Sequence, residues 1–338
     1  MPSARFVYVL SPAKTLDLSP SCILKRTQPR LLSSAHELIE QLRRLSQNEV
    51  KALLGVSDAL GKLNFDRFQV FDTSNMATEA SKPNKTLKQA ALAFQGPAYQ
   101  GLEVHDLSES DLEFAQTHLR ILSGLYGVLR PCDLIQPYRL EMGQKFINNR
   151  GKDLYAFWGD TIVSELEAVF RDQEAKDNTK PQRVLINIAS QEYFKCLPAS
   201  ALEASGISVV ECVFKDDGKI KPVYAKRARG LMCRYLIQKH VDSVKGITGF
   251  DLEGYKYSKA ASSDETLVFT RTAAAQKLAL QQTREAKMKT GAKPKEEVDE
   301  AEPTGKSRSI AMVSIENDDD DDEKSPLRRS TRKKRKTN

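Results

Sequence analysis

Neither the cysteines nor the histidines of this chain are arranged as a disulfide framework or a metal site requires. The cysteines are odd in number, widely separated and without a Cys-x-x-Cys pair, and they are Cys22, Cys132, Cys196, Cys212 and Cys233. The four histidines are scattered at similarly long intervals, so no zinc-ligand spacing exists. These absences predict buried, reduced thiols in a reducing compartment, and we expect neither a bound metal nor a cofactor.

Long apolar runs and phosphate-loop glycines are missing as well. No stretch approaches the ~18 apolar residues that a membrane span needs, and the short run Phe6–Leu10 predicts a first strand, not a signal peptide. Neither Gly-x-x-x-x-Gly-Lys nor Gly-x-Gly-x-x-Gly occurs, so no standard phosphate loop is predicted. The chain has 40% hydrophobic residues and a net charge of +7, typical of a globular protein that favours anionic partners.

A change in composition near residue 272 divides the chain. Residues 1–272 keep apolar periodicity, whereas 273–338 have no aromatic residue and cannot bury enough surface to offset their ordering entropy. We therefore expect one globular domain and a disordered charged tail, with a frayed helix at 273–289. Seven of the nine residues Arg328–Lys336 are basic, which predicts partial nuclear localisation beside a cytosolic one, unless this tail is simply solvated.

Alternating periodicities over residues 1–272 predict a mixed α/β fold. Strands are predicted at 6–10, 184–188, 208–214, 220–224, 255–258 and 267–270, with a hairpin turn at Asp216–Gly218. Helices are predicted at 34–45, 47–54, 58–69, 111–123, 152–170 and 226–240, with a helical turn at 190–197.

Charged residues sit among the chain breakers of the segment Leu119–Gly143. Its apolar residues recur at helical spacing up to Gly124, and further breaks follow at Gly127, Pro131 and Pro137. The charged residues around these breaks are Arg120, Arg130, Arg139 and Glu141. An ordinary core helix does not need them, so the segment predicts a positively charged concavity.

Polar groups also follow two predicted strands, where α/β proteins usually bind ligands. Ser11, Lys14 and Thr15 follow the first strand, and a second group follows the strand at 184–188, namely Asn187, Ser190, Glu192 and Lys195. A polar turn at Pro12 and a helix cap at Ser190 would explain part of this pattern without a ligand.

A third basic cluster lies on the predicted helix at 226–240, where Lys226, Arg227, Arg229 and Arg234 share one side. Cations near a helix N-terminus oppose the helix dipole, so an anion is expected nearby. A solvated basic face is the other explanation.

The segment Lys51–Lys62 imitates a helix-hairpin-helix. A turn at Gly55-Val56-Ser57 separates two short helices, and its backbone N–H groups would face a phosphate, with Lys51 and Lys62 beside them. Ser57 stands where a second glycine is usual, and any two helices joined by a capped turn look similar.

Together these residues resemble the peroxide stress resistance protein YaaA family. The similarity covers roughly residues 5–272, and the stretches that carry it are Leu10–Asp17, Phe94–Leu102, Phe114–Gly143, Lys152–Asp160, Asn187–Lys195, Tyr224–Met232 and Gly249–Tyr255. The resemblance implies a single α/β domain, a helix-hairpin-helix at Val50–Leu63, DNA binding, and protection against hydroperoxide linked to limiting reactive iron. It also implies a cytosolic protein with a basic cleft formed by Lys14, Arg130, Arg139, Glu141, Lys195, Lys226 and Arg229.

We therefore expect a DNA-binding stress protein whose phosphate contacts with duplex or distorted duplex DNA are salt-sensitive and weakly sequence-specific. The alternative is an enzyme acting on a small anionic or nucleotide substrate, with Glu141 and Glu192 as candidate acid/base groups. An iron-handling protein is disfavoured because no ligand pattern exists. The sequence indicates no oligomeric state.

Overall fold

The strands of the protein form one large sheet and two small ribbons. The structure is a computed structural model that describes residues 4–19, 25–74, 87–174 and 181–289, all within one compact unit. The strands are β1 Ala4–Leu10, β2 Thr15–Leu16, β3 Lys88–Gln89, β4 Phe94–Gln95, β5 Leu119–Ser123, β6 Gly127–Leu129, β7 Leu134–Ile135, β8 Gln182–Asn187, β9 Ile207–Asp216, β10 Lys256–Tyr257 and β11 Thr266–Arg271.

Helices connect and cover these strands. They are α1 Leu32–Leu42, α2 Gln47–Leu54, α3 Asp58–Gln69, α4 Ala90–Ala93, α5 Pro97–Leu102, α6 Glu109–His118, α7 Leu154–Trp158, α8 Thr161–Glu174, α9 Gln191–Phe194, α10 Ala199–Ala204, α11 Pro222–Gln238, α12 Val244–Ile247 and α13 Ala273–Lys289. The predicted mixed α/β class is confirmed.

The seven-stranded sheet has the order β10-β11-β9-β8-β1-β5-β6. Its five central strands are parallel, and the edge strands β10 and β6 are antiparallel to their neighbours. The chain passes from β1 to β5 on one side and then continues through β8, β9 and β11 on the other. This order reverses between β1 and β8, and such a reversal opens a crevice at the carboxyl ends of the two strands.

Burial of β1 fixes the centre of the core. Residues Phe6 to Leu10 are all buried, because β1 pairs with strands on both sides and α6, α8 and α11 pack against it. A parallel strand covered on both faces has no polar alternation, which explains its continuous apolar run. The Tyr8 hydroxyl donates to the carbonyl of Val241, beyond the end of α11.

Three predicted elements are wrong. The helix predicted at 111–123 ends at His118, and Leu119–Ser123 is the fully buried strand β5. The apolar residues of this segment fit both the helical and the strand periodicity, and it forms a strand because it pairs with β1. The helix predicted at 152–170 is broken at Gly159, where φ is +44°, into α7 and α8.

The predicted hairpin at 208–224 is the third wrong element. β9 runs to Asp216, a tight turn follows through Gly218, and Pro222 then begins α11 in place of a second strand. Proline is favoured in the first turn of a helix, where its missing N–H costs nothing. The helix therefore begins before the predicted residue 226, and Lys226 lies past its first turn.

The C-terminal helix α13 is more extensively packed than a frayed helix. Gln276 and Ala279 are buried, and the side chain of Asp217 accepts a hydrogen bond from the N–H of Ala273 at 2.7 Å. The predicted disordered tail beyond residue 289, with its basic block, lies outside the described residues.

Close packing of α5 on α11 sets the position of α11 over the sheet. A Cβ atom on Gly230 would lie 1.7 Å from the carbonyl oxygen of Ala98, and one on Gly101 would lie 2.5 Å from the carbonyl oxygen of Arg227. Only glycine permits this approach of two helix backbones, so these contacts hold the basic residues of α11 in place.

We predict that Gly230→Ala lowers the free energy of unfolding by at least about 2 kcal/mol, because the added methyl group overlaps the Ala98 carbonyl. The same change in an exposed helix would raise stability by ~1 kcal/mol. Urea unfolding of the full chain measures the effect, with exposed Val223→Ala on the same helix as the control. A stabilised Gly230→Ala variant would contradict the packing described.

Candidate functional site

The carboxyl ends of β1 and β8 are joined by two serines. The Ser11 hydroxyl oxygen accepts a hydrogen bond from the backbone N–H of Ser190 at 2.9 Å, and the two hydroxyl oxygens are 3.2 Å apart. Asn187 is buried, and its amide oxygen accepts from the N–H of Ala189 at 3.0 Å, which fixes the turn out of β8. The two polar groups that follow predicted strands therefore meet in the crevice.

The loop after β1 is anchored by Asp17. Its backbone N–H donates to the carbonyl of Ala93 at 2.7 Å, and its carboxylate lies 3.4 Å from the ammonium of buried Lys88. Partial burial by itself would raise the pKa of Asp17. Hydrogen bonds from Ser19 and the charge of Lys88 outweigh it and lower the pKa to about 2. The exposed ammonium of Lys14 thus projects from a rigid loop.

Glu192 and Lys195 follow on the short helix α9. The Glu192 carboxylate accepts a hydrogen bond from the backbone N–H of Gly143 at 3.1 Å. The backbone carbonyl of Glu192 accepts a second one from the Tyr155 hydroxyl at 2.9 Å. The Lys195 ammonium lies over the Tyr155 ring, 4.8 Å from its centroid. These contacts place the end of α9 against the loop around Gly143.

The same loop carries Arg139 and Glu141. A Cβ on Gly124, just after β5, would lie 2.2 Å from the carbonyl oxygen of Leu140, so this loop covers the carboxyl end of β5. The Glu141 carboxylate is buried and accepts the Nε–H of Arg139 at 3.0 Å and the amide of Gln144 at 2.8 Å. Both oxygens of Glu141 are thereby used.

Arg229 reaches this region without a partner. Its Nε atom is buried, and its guanidinium donates no hydrogen bond to any described residue. Burial lowers the pKa of Arg229, against the opposing charge of Glu211 on β9. The next residue, Gly230, packs on Ala98 of α5. On either side of Ala98 in the chain, Gly96 and Tyr99 contact the loop that carries Ser11. Nε is the Arg229 nitrogen that is both buried and without an acceptor, and the protein uses none of the five guanidinium donors within the described residues.

Three further cations of this region are exposed: Lys14, Lys195 and Lys226. None of the three forms an ion pair with a described carboxylate, and none has a contact beyond those given above. We call Ser11, Lys14, Ser190, Glu192, Lys195, Arg139, Glu141, Lys226 and Arg229 the strand-end site.

Arg130 serves a different purpose. Strand β6 runs antiparallel to β5, so Arg130 at its end leads away from the strand-end site. Its Nε–H and Nη2–H donate to one oxygen of Asp133, at 3.0 and 2.8 Å, and Nη2 also donates to the carbonyl of Gln28 at 2.8 Å. Buried Arg120, nearby, donates to two backbone carbonyls. The structure does not bring these two arginines into the site.

The helix pair α2–α3 has the geometry of a tight capped turn. Gly55 adopts φ +62°, and Ser57 precedes α3 without a side-chain bond to its N–H groups. Lys51 forms an ion pair with Asp58, and Lys62 pairs with Asp66 at 2.6 Å. The backbone N–H groups of Gly55 and Val56 donate to the Lys51 carbonyl at 3.0 and 3.3 Å. Within the described residues, the donors left without an acceptor around this turn are therefore those at the start of α3.

The cysteine thiols of the described residues are poorly placed to react. Cys132, Cys196, Cys212 and Cys233 are all buried. Burial raises the pKa of Cys132 to about 11 and that of Cys212 to about 12, and it raises the pKa of the other two further. Buried thiols with a raised pKa are poor nucleophiles toward peroxide. Cys22 lies outside the described residues.

Sequence reasoning missed two contributors, Tyr155 and Arg67. Tyr155 lies in the recognised stretch Lys152–Asp160, but only the tertiary contacts show that its ring and hydroxyl face α9. Arg67 is partly buried on α3, and it carries no sequence signal because it falls among ordinary surface charges of an amphipathic helix.

The fold and the site define a class: an α/β protein with polar and basic side chains at the carboxyl ends of β1 and β8, where the strand order of the sheet reverses. No three His, Cys, Asp or Glu side chains in the described ranges are grouped to hold a metal, and no helix there is long and apolar enough to cross a membrane. Residues 6–261 match the family model described as peroxide stress protein YaaA, and the chain belongs to that family.

Three bacterial proteins are examples of relatives similar to this chain. A UPF0246 protein of Burkholderia mallei and one of Burkholderia pseudomallei are each 48% identical over 274 residues, covering 80% of this chain and 100% of the relative. A UPF0246 protein of Burkholderia thailandensis is 47% identical with the same coverage.

We predict that Asp17→Asn removes stability that depends on pH. The folded pKa of about 2 lies below the ordinary value of 3.8, so the ionised form stabilises the fold above pH 3.8. This contribution is lost as the pH falls from 3.8 toward about 2. In urea unfolding, the deficit of Asp17→Asn should be larger at about pH 6 than at about pH 3. Exposed Asp264→Asn is the control, and a deficit that is constant with pH would contradict the assignment.

Proposed function

We propose that this protein binds DNA through its phosphates and acts in this way in peroxide stress. The observation that carries the proposal is the guanidinium of Arg229, partly buried at the strand-end site with no hydrogen-bond acceptor among the described residues. Leaving such a group unsatisfied costs stability, and a fold retains that cost where a ligand supplies the acceptor. A phosphate oxygen is the acceptor that best matches the planar fork of arginine.

The surroundings favour a polyanion over a single small anion. Lys14, Lys195 and Lys226 come from three separate elements, and each presents an exposed ammonium that no described carboxylate neutralises. Separated cations match the repeated charges of a nucleic-acid backbone, and release of counterions would drive binding. Hydroxyls at Ser11 and Ser190 add donors of the kind that contact phosphate without reading sequence.

The helix pair α2–α3 would supply a second contact as a helix-hairpin-helix. The N–H groups of Gly55 and Val56 donate to carbonyls of α2, but the N-cap Ser57 makes no side-chain bond, so backbone N–H groups in the first turn of α3 are left for a phosphate. Because Lys51 and Lys62 are paired with carboxylates, the backbone would provide most of this contact.

A second candidate function is turnover of a small phosphorylated substrate, and Glu141 favours it. DNA binding does not need a carboxylate, yet Glu141 is buried at the strand-end site, and Glu192 lies close through Gly143. A carboxylate held between cations could transfer a proton. Nucleotides incubated with the protein and analysed for products test this function, which predicts that Glu141→Gln abolishes turnover but keeps binding.

We predict opposite effects of Arg229→Met on stability and on binding. Replacing an unsatisfied, partly buried charge with an apolar side chain of similar length should leave the unfolding free energy unchanged or raise it. DNA affinity should fall about tenfold for every sequence, and the salt dependence should lose about one unit of slope. Fluorescence anisotropy across a salt series measures both.

Arg227→Met is the matched control on the same helix. The Arg227 guanidinium donates to Glu253 at 2.8 and 2.5 Å, so its loss should lower stability by roughly 1–3 kcal/mol with little effect on DNA affinity. Unchanged affinity and slope in Arg229→Met would remove Arg229 from the interface.

We predict that Gly55→Val weakens binding to duplex DNA, whereas Gly206→Val does not. Both glycines have open space for a side chain and almost the same backbone, with φ +62° and +63°. Valine should therefore strain each site equally, by roughly 1–2 kcal/mol. Only Gly55 lies in the helix pair. Equal DNA affinities of the two variants would exclude the turn as a phosphate contact.

A further inference from the structure

Arg67 on α3 is a partly buried cation with few partners. Its Nη1–H donates to the amide oxygen of Asn64 at 3.2 Å, and the other four N–H groups of its guanidinium have no acceptor among the described residues. It forms no ion pair within that part of the chain.

The chain just after α3 is hydrogen-bonded to the segment that carries Arg139, and the charge of Arg139 acts on Arg67. The Gln136 side chain accepts the N–H of Asp72 and donates to its carbonyl, both at 2.8 Å. Phe71 packs on Tyr126 with ring centroids 6.3 Å apart, and Tyr126 packs on Tyr138 at 5.4 Å. Burial and the neighbouring charge of Arg139 both lower the pKa of Arg67.

No described carboxylate balances the second charge of this pair. One oxygen of Glu141 accepts a hydrogen bond from the Nε–H of Arg139 and the other accepts one from the Gln144 amide, and Arg67 donates to neither. The Nη groups of Arg139 also lack acceptors in the described ranges. Two arginines whose charges repel each other thus have unused donors, and one of them is bonded to a carboxylate.

We propose that Arg67 and Arg139 hold one phosphoryl group between them, linking the helix pair α2–α3 to the strand-end site. Two arginine forks together offer enough donors for the several oxygens of a phosphate, and the anion would relieve their repulsion. The proposal deepens the proposed function, because this group would be a backbone phosphate lying between the two contact regions. A terminal phosphate of a nucleotide has the same chemistry and is distinguished below.

The test is a double-mutant cycle read by anisotropy of a short labelled duplex. Arg67→Met and Arg139→Met should each weaken binding about tenfold and reduce the salt slope by about one unit. Because both hold the same phosphate, the double variant should also lose about tenfold, not ~100-fold. Arg44→Met, which removes an exposed arginine without a described partner, is the control and should change affinity little.

Arg67→Lys keeps the charge and the apolar stem but loses the fork, so its affinity should lie between those of the wild type and Arg67→Met. Thermal unfolding checks the fold of each variant, and Arg67→Met should be no less stable than the wild type without DNA. Fully multiplicative losses, or an Arg67→Met variant that behaves like Arg44→Met, would overturn the proposal.

The outcome separates this subsite from the proposed function. If Arg229→Met weakens DNA binding while Arg67→Met does not, DNA binding stands and the subsite is wrong. If the wild type binds pyrophosphate but no DNA, and the Arg67 and Arg139 variants lose pyrophosphate affinity non-additively, the subsite stands with a small phosphorylated ligand and DNA binding is wrong.

Discussion

Burial of β1 on both faces is the constraint on which the rest of the structure depends. Once β1 lies between β5 and β8 with helices on either side, its carboxyl end and that of β8 must emerge together. The serine contact between Ser11 and Ser190 is a consequence of this pairing. The loops after these strands bury Ile188 and Ala189 in the core and leave Ser11 and Ser190 at its edge.

The arginines of the protein differ in whether a carboxylate accepts their hydrogen bonds. Arg130, Arg227 and Arg271 are bonded to carboxylates and fix loops or helices. Arg229 and Arg67 are partly buried and form no ion pair with a described carboxylate. The difference between the two groups follows from which side chain has an acceptor, since all five have the same chemistry.

Membership of the YaaA family links this arrangement to peroxide stress. The described cysteines are buried with raised pKa values, so direct reaction of these thiols with peroxide is unfavourable. A protective protein that acts through a bound phosphate polymer is compatible with such inert thiols.

The sequence alone determined the α/β class, the helices at 47–54 and 58–69, and the polar groups after β1 and β8, because these depend on local periodicity and on where strands end. It could not decide that Leu119–Ser123 is a strand or that Pro222 begins a helix, since both depend on pairing and packing across the sheet. Nor could it separate Arg130 from Arg229 or reveal Arg67. Those roles depend on which distant acceptors the fold brings near each guanidinium, and only the tertiary structure decides that.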